Sequence, residues 1–200
     1  MTHTPSPHQA TKALPSCLAR AAGLAVLLLA LVAASCTDDV QDLYAHQRAF
    51  FRFDQVSTTH PLYTALHSPG EWCTIQVRNV TYLFTSAKGE TAQANATAMQ
   101  AYGRPECVAG FIVGTPSVPD LKGQTPVLAF DLVCPTCYEE SAVQRSVSFT
   151  GTERVQCPRC SRTYDLKQGG IVVAGPAGLK LYRYHVSTSD TGSGTLLINN

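Results

Sequence analysis

The sequence predicts an all-β domain, an antiparallel sandwich or barrel, with a small metal-binding lobe. Three observations support this prediction. Short runs of β-branched and aromatic residues recur along the chain with glycine and proline between them, which is typical of antiparallel β folds. Residues 179–186 alternate between apolar and polar side chains, as a half-buried strand does. Two matching Cys-Pro-x-Cys segments, residues 134–137 and 157–160, have the spacing of metal ligands.

Length and composition limit the class of protein. The chain has 200 residues, which is enough for one domain preceded by a leader. Its hydrophobic fraction of 44% is that of a globular protein rather than a disordered or polytopic one. The formal net charge is +1 and the basic residues form no patch, so nucleic acid is not an expected partner.

The first 35 residues have the features of an export signal. Lys12 and Arg20 precede an apolar run at residues 21–34, which is shorter than the roughly 20 residues that a spanning helix needs. The run ends in Ala-Ala-Ser before Cys36, which resembles the lipobox of bacterial lipoproteins. We therefore expect residues 1–35 to be a lipoprotein signal peptide and Cys36 to carry the lipid that attaches the protein to a membrane. An ordinary secretory signal or a short uncleaved anchor is the alternative.

An acidic tether is expected to follow, at residues 36–49. Its segment Thr-Asp-Asp-Val-Gln-Asp, residues 37–42, resembles the export signal that sends lipoproteins of Bacteroidota to the outside of the outer membrane. This resemblance implies an outer-membrane lipoprotein of the cell envelope, either periplasmic or exposed on the surface.

The first half of the domain, from residue 50, contains strand signals and one helix signal. We expect strands at residues 50–56, 72–77 and 80–84. A short helix is expected at residues 60–67, because Ser-Pro-Gly follows it. Residues 88–99 are polar and alanine-rich, which favours a loop or an exposed helical turn.

The second half has a higher density of strand signals. Strands are expected at residues 108–114, 127–133, 145–150, 171–173 and 179–186. Residues 187–194 are expected to fray, and residues 189–200 to form a tail outside a domain that spans residues 50–188. Within that domain the metal lobe is expected at about residues 133–170.

The cysteine spacing is the strongest chemical signal. Of the eight cysteines, four form the two matching pairs: Cys134, Cys137, Cys157 and Cys160. A two-residue gap lets a tight turn direct both thiolates at one ion, and two such turns complete a tetrahedron. Proline after the first cysteine of each pair helps to shape this turn, since its φ angle is fixed. The alternative is disulfide pairing, because an exported protein meets an oxidising environment.

Cys73 and Cys107 lie outside these pairs. In an oxidising compartment the default expectation is a disulfide between them. The alternative is two buried free thiols that pack as small apolar groups.

From residue 110 to 186 the order of motifs resembles a Rieske-type iron–sulfur domain. Cys-Pro-Thr-Cys stands where that family has its first C-x-H ligand loop, and Cys-Pro-Arg-Cys-Ser where it has the second. Thr-Tyr-Asp-Leu at 163–166, Gly-Gly at 169–170 and Gly-Pro-Ala at 175–177 match later segments of the family. The mature chain as a whole more loosely resembles Rieske-like lipoproteins of Bacteroidota. The resemblance implies a Rieske-like β fold.

The ligand set departs from the family. Both histidine positions are cysteine here, and the first loop is one residue longer. Histidine ligands give a Rieske centre its high potential, so a high-potential centre is not expected. The resemblance implies a [2Fe–2S] cluster on four cysteines, whereas the spacing alone favours Zn²⁺ or a single iron.

The expected function is that of a membrane-anchored lipoprotein with a metal or iron–sulfur centre that transfers electrons to a redox partner. The alternative is a zinc-stapled lipoprotein that serves binding or assembly without redox activity. No Ser-His-Asp or Cys-His arrangement is evident, so we expect no catalytic residues and at most an electron-transfer protein.

Overall fold

A computed structural model describes residues 43–96 and 103–200. Within those residues the chain forms twelve strands in two antiparallel sheets, two α-helices and one 3-10 turn. The all-β prediction is therefore confirmed. The expected signal peptide, the expected lipidation site Cys36 and the acidic segment 37–42 lie outside the described residues.

The larger sheet has eight strands. They are β1 (Phe50–Phe53), β2 (Trp72–Val77), β3 (Thr81–Ser86), β4 (Thr91–Asn95), β5 (Phe111–Gly114), β6 (Leu128–Asp131), β11 (Arg183–Ser189) and β12 (Thr195–Asn199). Their order across the sheet is β1-β12-β11-β6-β5-β2-β3-β4. Helix α1 (His60–His67) packs against this sheet and follows the 3-10 turn Val56–Thr58.

The smaller sheet forms the lobe together with one helix. Its strands are β7 (Ser148–Gly151), β8 (Arg154–Gln156), β9 (Thr163–Asp165) and β10 (Ile171–Ala174), in the order β10-β9-β8-β7. Helix α2 (Pro135–Ser141) lies between β6 and β7 in the chain. The lobe thus runs slightly beyond the predicted end at residue 170.

The two faces of the larger sheet contact different cores. On one face aromatic side chains such as Phe51, Phe84 and Phe111 form the main core with α1. On the other face Trp72 and Phe130 pack against side chains of the lobe. All four residues of β5 and of β6 are therefore buried, which is why these strands are almost continuously apolar.

A buried carboxylate connects the large sheet to the segment that leads into the lobe. Asp131 is fully buried at the end of β6. It accepts hydrogen bonds from the amides of Val108, Ala109 and Val133 at 2.9–3.1 Å and from the Tyr184 hydroxyl at 3.1 Å. Burial raises the pKa of Asp131, and these four donors oppose that shift. The carboxylate fixes the loop before β5 and the segment that leads into the cysteines.

Three predicted elements differ from the structure. Residues 91–95 form the edge strand β4 instead of a loop, paired with β3, and an exposed edge strand does not need a strongly apolar sequence. The predicted tail contains β12, which pairs with both β1 and β11 and buries Leu196 and Ile198. Strand β11 begins at Arg183 rather than at 179, because the amide of Leu181 donates to Gly170 in the lobe.

Candidate metal centre

The first cysteine pair lies at the start of α2. Cys134 has an extended backbone and directly precedes the helix, and Pro135 occupies a first-turn position where no amide is needed. The amide of Cys134 donates to the carbonyl of Arg145 at 2.9 Å, which ties this turn to the segment that leads into β7. Cys137 follows within the first turn, so both thiols project from one short, rigid segment.

The second pair lies in the turn between β8 and β9. Gln156 and Thr163 form the last paired residues of this hairpin. Inside the turn the Cys157 amide donates to the Arg162 carbonyl, and the Ser161 amide donates to the Cys157 carbonyl, each at 3.0 Å. Ser161 takes a left-handed φ of 58°, which closes the turn. We refer to residues 134–137 and 157–160 as the first and second knuckles.

The two knuckles bring four sulfur atoms together. The Sγ atoms of Cys134, Cys137, Cys157 and Cys160 all lie within 4.8 Å of one another. Contacts between the knuckles measure 3.7 Å from Cys134 to Cys160 and 3.9 Å from Cys137 to Cys157. A tetrahedral ion with metal–sulfur bonds of about 2.3 Å separates its ligands by roughly 3.8 Å. The four cysteines predicted as ligands therefore form a site that could hold a metal ion.

Three of the four thiols are buried, and only Cys160 is partly exposed. Burial raises the pKa of Cys134 and of Cys137. Burial also acts to raise the pKa of Cys160. Hydrogen bonds from the backbone amide and the guanidinium of Arg162, with a contribution from neighbouring thiols, outweigh it and lower that pKa to about 6. The site therefore contains one sulfur that favours the thiolate, the form that binds metals.

Tyr164 and Arg162 are the polar neighbours of the sulfurs. The hydroxyl of the fully buried Tyr164 lies 3.1 Å from the Cys134 sulfur and can donate to it. The buried guanidinium of Arg162 donates to Cys160 and to the carbonyls of Pro176 and Ala177. Each knuckle thus has one hydrogen-bond donor that can stabilise negative charge on its sulfur: Tyr164 for the first knuckle and Arg162 for the second.

A third loop, residues 175–179, closes over both knuckles. The Leu179 amide donates to the Thr136 hydroxyl at 3.0 Å, so the loop is tied to the first knuckle. At Gly175, where φ is +89°, a Cβ atom would lie 2.8 Å from the Ser161 carbonyl oxygen beside the second knuckle. Glycine is required here by both its φ angle and the close approach of the backbone.

The disulfide expected between Cys73 and Cys107 is not formed, since both are free cysteines in the structure. Cys73 lies on β2 opposite Val113, whereas Cys107 lies four residues before β5 begins. Cys107 lies outside the paired strands, so no sheet register places it opposite Cys73. Burial raises the pKa of each thiol to about 12, so both behave as packing groups.

Sequence reasoning identified the four cysteines that the structure brings together, but not the polar groups around them. Arg162 and Thr136 lie within or beside the knuckles, and only their contacts with residues 175–179 reveal that they hold the third loop. Tyr164 lies in the Thr-Tyr-Asp-Leu segment noted in the sequence, but its proximity to Cys134 depends on the β8–β9 hairpin.

Comparisons with known proteins add no family. A scan of the chain against protein-family models finds no match, and a search of curated proteins finds none either. Among residues 43–96 and 103–200, no helix has both the length and the apolar character needed to cross a bilayer.

The close approach at Gly175 can be tested by substitution. We expect Gly175→Ala to lower the free energy of unfolding by about 1–3 kcal/mol more than Gly89→Ala. Gly89 is the matched control, because its φ is +88° and a Cβ atom at that position would meet nothing within 4 Å. Both variants incur backbone strain, and only Gly175→Ala also presses on Ser161. Equal losses in chemical denaturation would show that the third loop does not pack on the second knuckle.

Proposed function

We propose that this chain is an exported lipoprotein of the cell envelope, anchored through Cys36, whose domain is stabilised by a single Zn²⁺ ion on the four cysteines. The observation that supports a single-ion site best is the compactness of the sulfur cluster, and a closed site of four thiolates is the usual structural zinc site. All four sulfurs lie within 4.8 Å of one another, as they must around one ion. The role we propose for the domain is binding or assembly at the membrane, with the metal as a structural element.

The same distances favour one ion over a two-iron cluster. In a [2Fe–2S] cluster on four cysteines, two cysteines bind each iron. The sulfurs at opposite ends of that cluster are then separated by the two irons as well as by their own bonds. Here the sulfurs of Cys134 and Cys160 lie 3.7 Å apart, and those of Cys137 and Cys157 lie 3.9 Å apart. These separations match the spacing of sulfurs around a single ion.

The ligand count favours a structural role. Four protein sulfurs complete a tetrahedron, whereas a catalytic zinc site keeps one position for water or substrate. Three of these sulfurs are buried, which limits access by solvent. When bound, the ion would supply folding free energy directly by cross-linking the two knuckles.

Different parts of the chain would hold the metal and the loops around it. The first knuckle continues from β6 of the large sheet, and the second belongs to the small sheet. Arg162 carries positive charge to Cys160 and holds the third loop by its carbonyls. Tyr164 donates toward Cys134 from the core of the lobe. A metal held by these groups would fasten the lobe over the buried strands β5 and β6.

Electron transfer through iron at the same site is the second candidate. It is favoured by the partial exposure of Cys160, which brings one ligand of the centre to the surface. Hydrogen bonds to the sulfurs from Tyr164 and Arg162 would tune the potential of such a centre. The resemblance to Rieske-type domains also supports this candidate. Visible absorption that dithionite bleaches would favour it over zinc.

Removing one ligand tests the site. We expect Cys157→Ser to lose the metal and to destabilise the protein by several kcal/mol, because a structural thiolate site contributes folding energy. Metal content is measured on the purified full chain, with Cys107→Ser as the control at a free cysteine outside the site. The control should keep about one ion per chain. Full metal content in Cys157→Ser would contradict the ligand assignment.

The anchoring is tested separately. Cells that express the full chain are grown with radiolabelled fatty acid, which we expect to be incorporated into the wild type but not into Cys36→Ser. The physical reason is that only the Cys36 sulfur can take the diacylglycerol, and acyl chains bind a membrane through about 0.8 kcal/mol per buried methylene. Label in Cys36→Ser, or its absence from the wild type, would contradict the lipoprotein proposal.

A further inference from the structure

An open cleft lies at the end of the lobe away from the knuckles. It has a volume of about 460 Å³ and is formed between the loop that joins β5 to β6 and the turn that joins β9 to β10. Pro116 and Leu128 are its buried residues, and Pro119, Pro126 and Val118 add further apolar surface. This volume is in the range of small-molecule sites, which bind ligands on mostly apolar walls with a few polar groups.

The long loop that forms one wall is held in place at several points. Its first residue, Thr115, donates its hydroxyl to the carbonyls of Ala65 and Leu66 at 3.0 and 3.1 Å. Ser117 donates its amide and hydroxyl to the Glu153 carboxylate of the lobe at 2.8 and 2.6 Å. Three prolines further restrict the backbone. The cleft is therefore built before any ligand arrives, which lowers the entropic cost of binding.

The charge of the cleft is positive. Its titratable lining residues are Lys167, Arg183 and Asp120. Asp120 accepts the amides of Lys122 and Gln124 on Oδ1 at 2.8 and 2.9 Å, which ties that oxygen to its own turn. Two cations and one carboxylate leave the lining with a net charge of +1.

The two cations have weak partners within the part of the chain that the structure describes. The Lys167 ammonium lies 4.0 Å from Glu153, whose oxygens already accept from Ser117. The Arg183 guanidinium carbon lies 5.4 Å above the ring of Tyr44, an arrangement that orients it without neutralising it. A guanidinium placed in this way retains donors for a planar anion.

We propose that this cleft binds a small organic monoanion with an apolar body, namely an aromatic or branched carboxylate. The carboxylate of the ligand would accept hydrogen bonds from Arg183 and would be attracted by the positive charge of Lys167. The apolar body of the ligand would pack on Leu128 and the proline rings. This site is separate from the cysteine cluster and does not depend on which metal the cluster holds.

The probe is benzoate, which is titrated into the metal-loaded full chain and measured by calorimetry. In parallel NMR titrations, a change in the chemical shift of the Gly169 amide shows that the ligand is bound in the cleft. We expect saturable binding with a Kd on the order of 1 mM. Arg183→Gln and Lys167→Gln should each weaken it severalfold. Arg78→Gln, an exposed arginine at the opposite end of the sheet, should leave it unchanged. Metal content equal to the wild type confirms that each variant has folded.

Two ligand controls separate the parts of the proposal. Neutral benzamide should bind severalfold more weakly than benzoate, because it lacks the charge. Inorganic phosphate at equal concentration should not displace benzoate, because it lacks the apolar body. Equal binding of benzamide, displacement by phosphate, unchanged affinity in both cation variants, or an absence of saturable benzoate binding would each overturn the proposal.

Discussion

The organisation of this domain depends on the meeting of two knuckles that originate in different sheets. The first knuckle is the continuation of β6, a central strand of the large sheet, and the second is a hairpin turn of the small sheet. Four sulfurs then lie within 4.8 Å, three of them buried. Four sulfurs placed so closely are a suitable ligand set for one cation.

The surrounding contacts hold this meeting point in place. Asp131 fixes the end of β6 through four hydrogen bonds, three residues before the first sulfur. Arg162 and Thr136 connect the third loop to both knuckles. The lobe packs on Trp72 and Phe130, which lie on the face of the large sheet opposite the main core. A metal that held the knuckles together would also keep that face covered. Under the proposed function, metal binding would therefore be coupled to burial of that face.

The sequence is most informative where local pattern and tertiary role agree. The helix at 60–67 and the strand at 72–77 have the predicted bounds, because a turn signal ends the helix and a buried apolar run forms the strand. Cysteine spacing predicts which four sulfurs come together, since two short turns impose it locally. The polar edge strand β4 escapes prediction because its stability comes from pairing with β3 rather than from its own side chains.

Long-range contacts explain the other differences. Cys73 and Cys107 both contact the main core, yet Cys107 lies outside the paired strands and the two form no disulfide, which their sequence positions alone do not reveal. Glycine and serine precede β12 and favour a tail in the sequence. The pairing of β12 with both β1 and β11 depends on the order of strands across the sheet, which no local pattern predicts. Arg162 has no local signal at all, since its partners at 176 and 177 are distant in sequence.

X-ray absorption at the metal edge of anaerobically purified protein tests the central claim most directly, because it reports the element, its ligands and any second metal nearby. A mononuclear zinc centre predicts a zinc edge and four sulfur neighbours at about 2.3 Å. An iron edge with a second iron as a neighbour, or a first shell that contains fewer than four sulfurs, would contradict the zinc assignment.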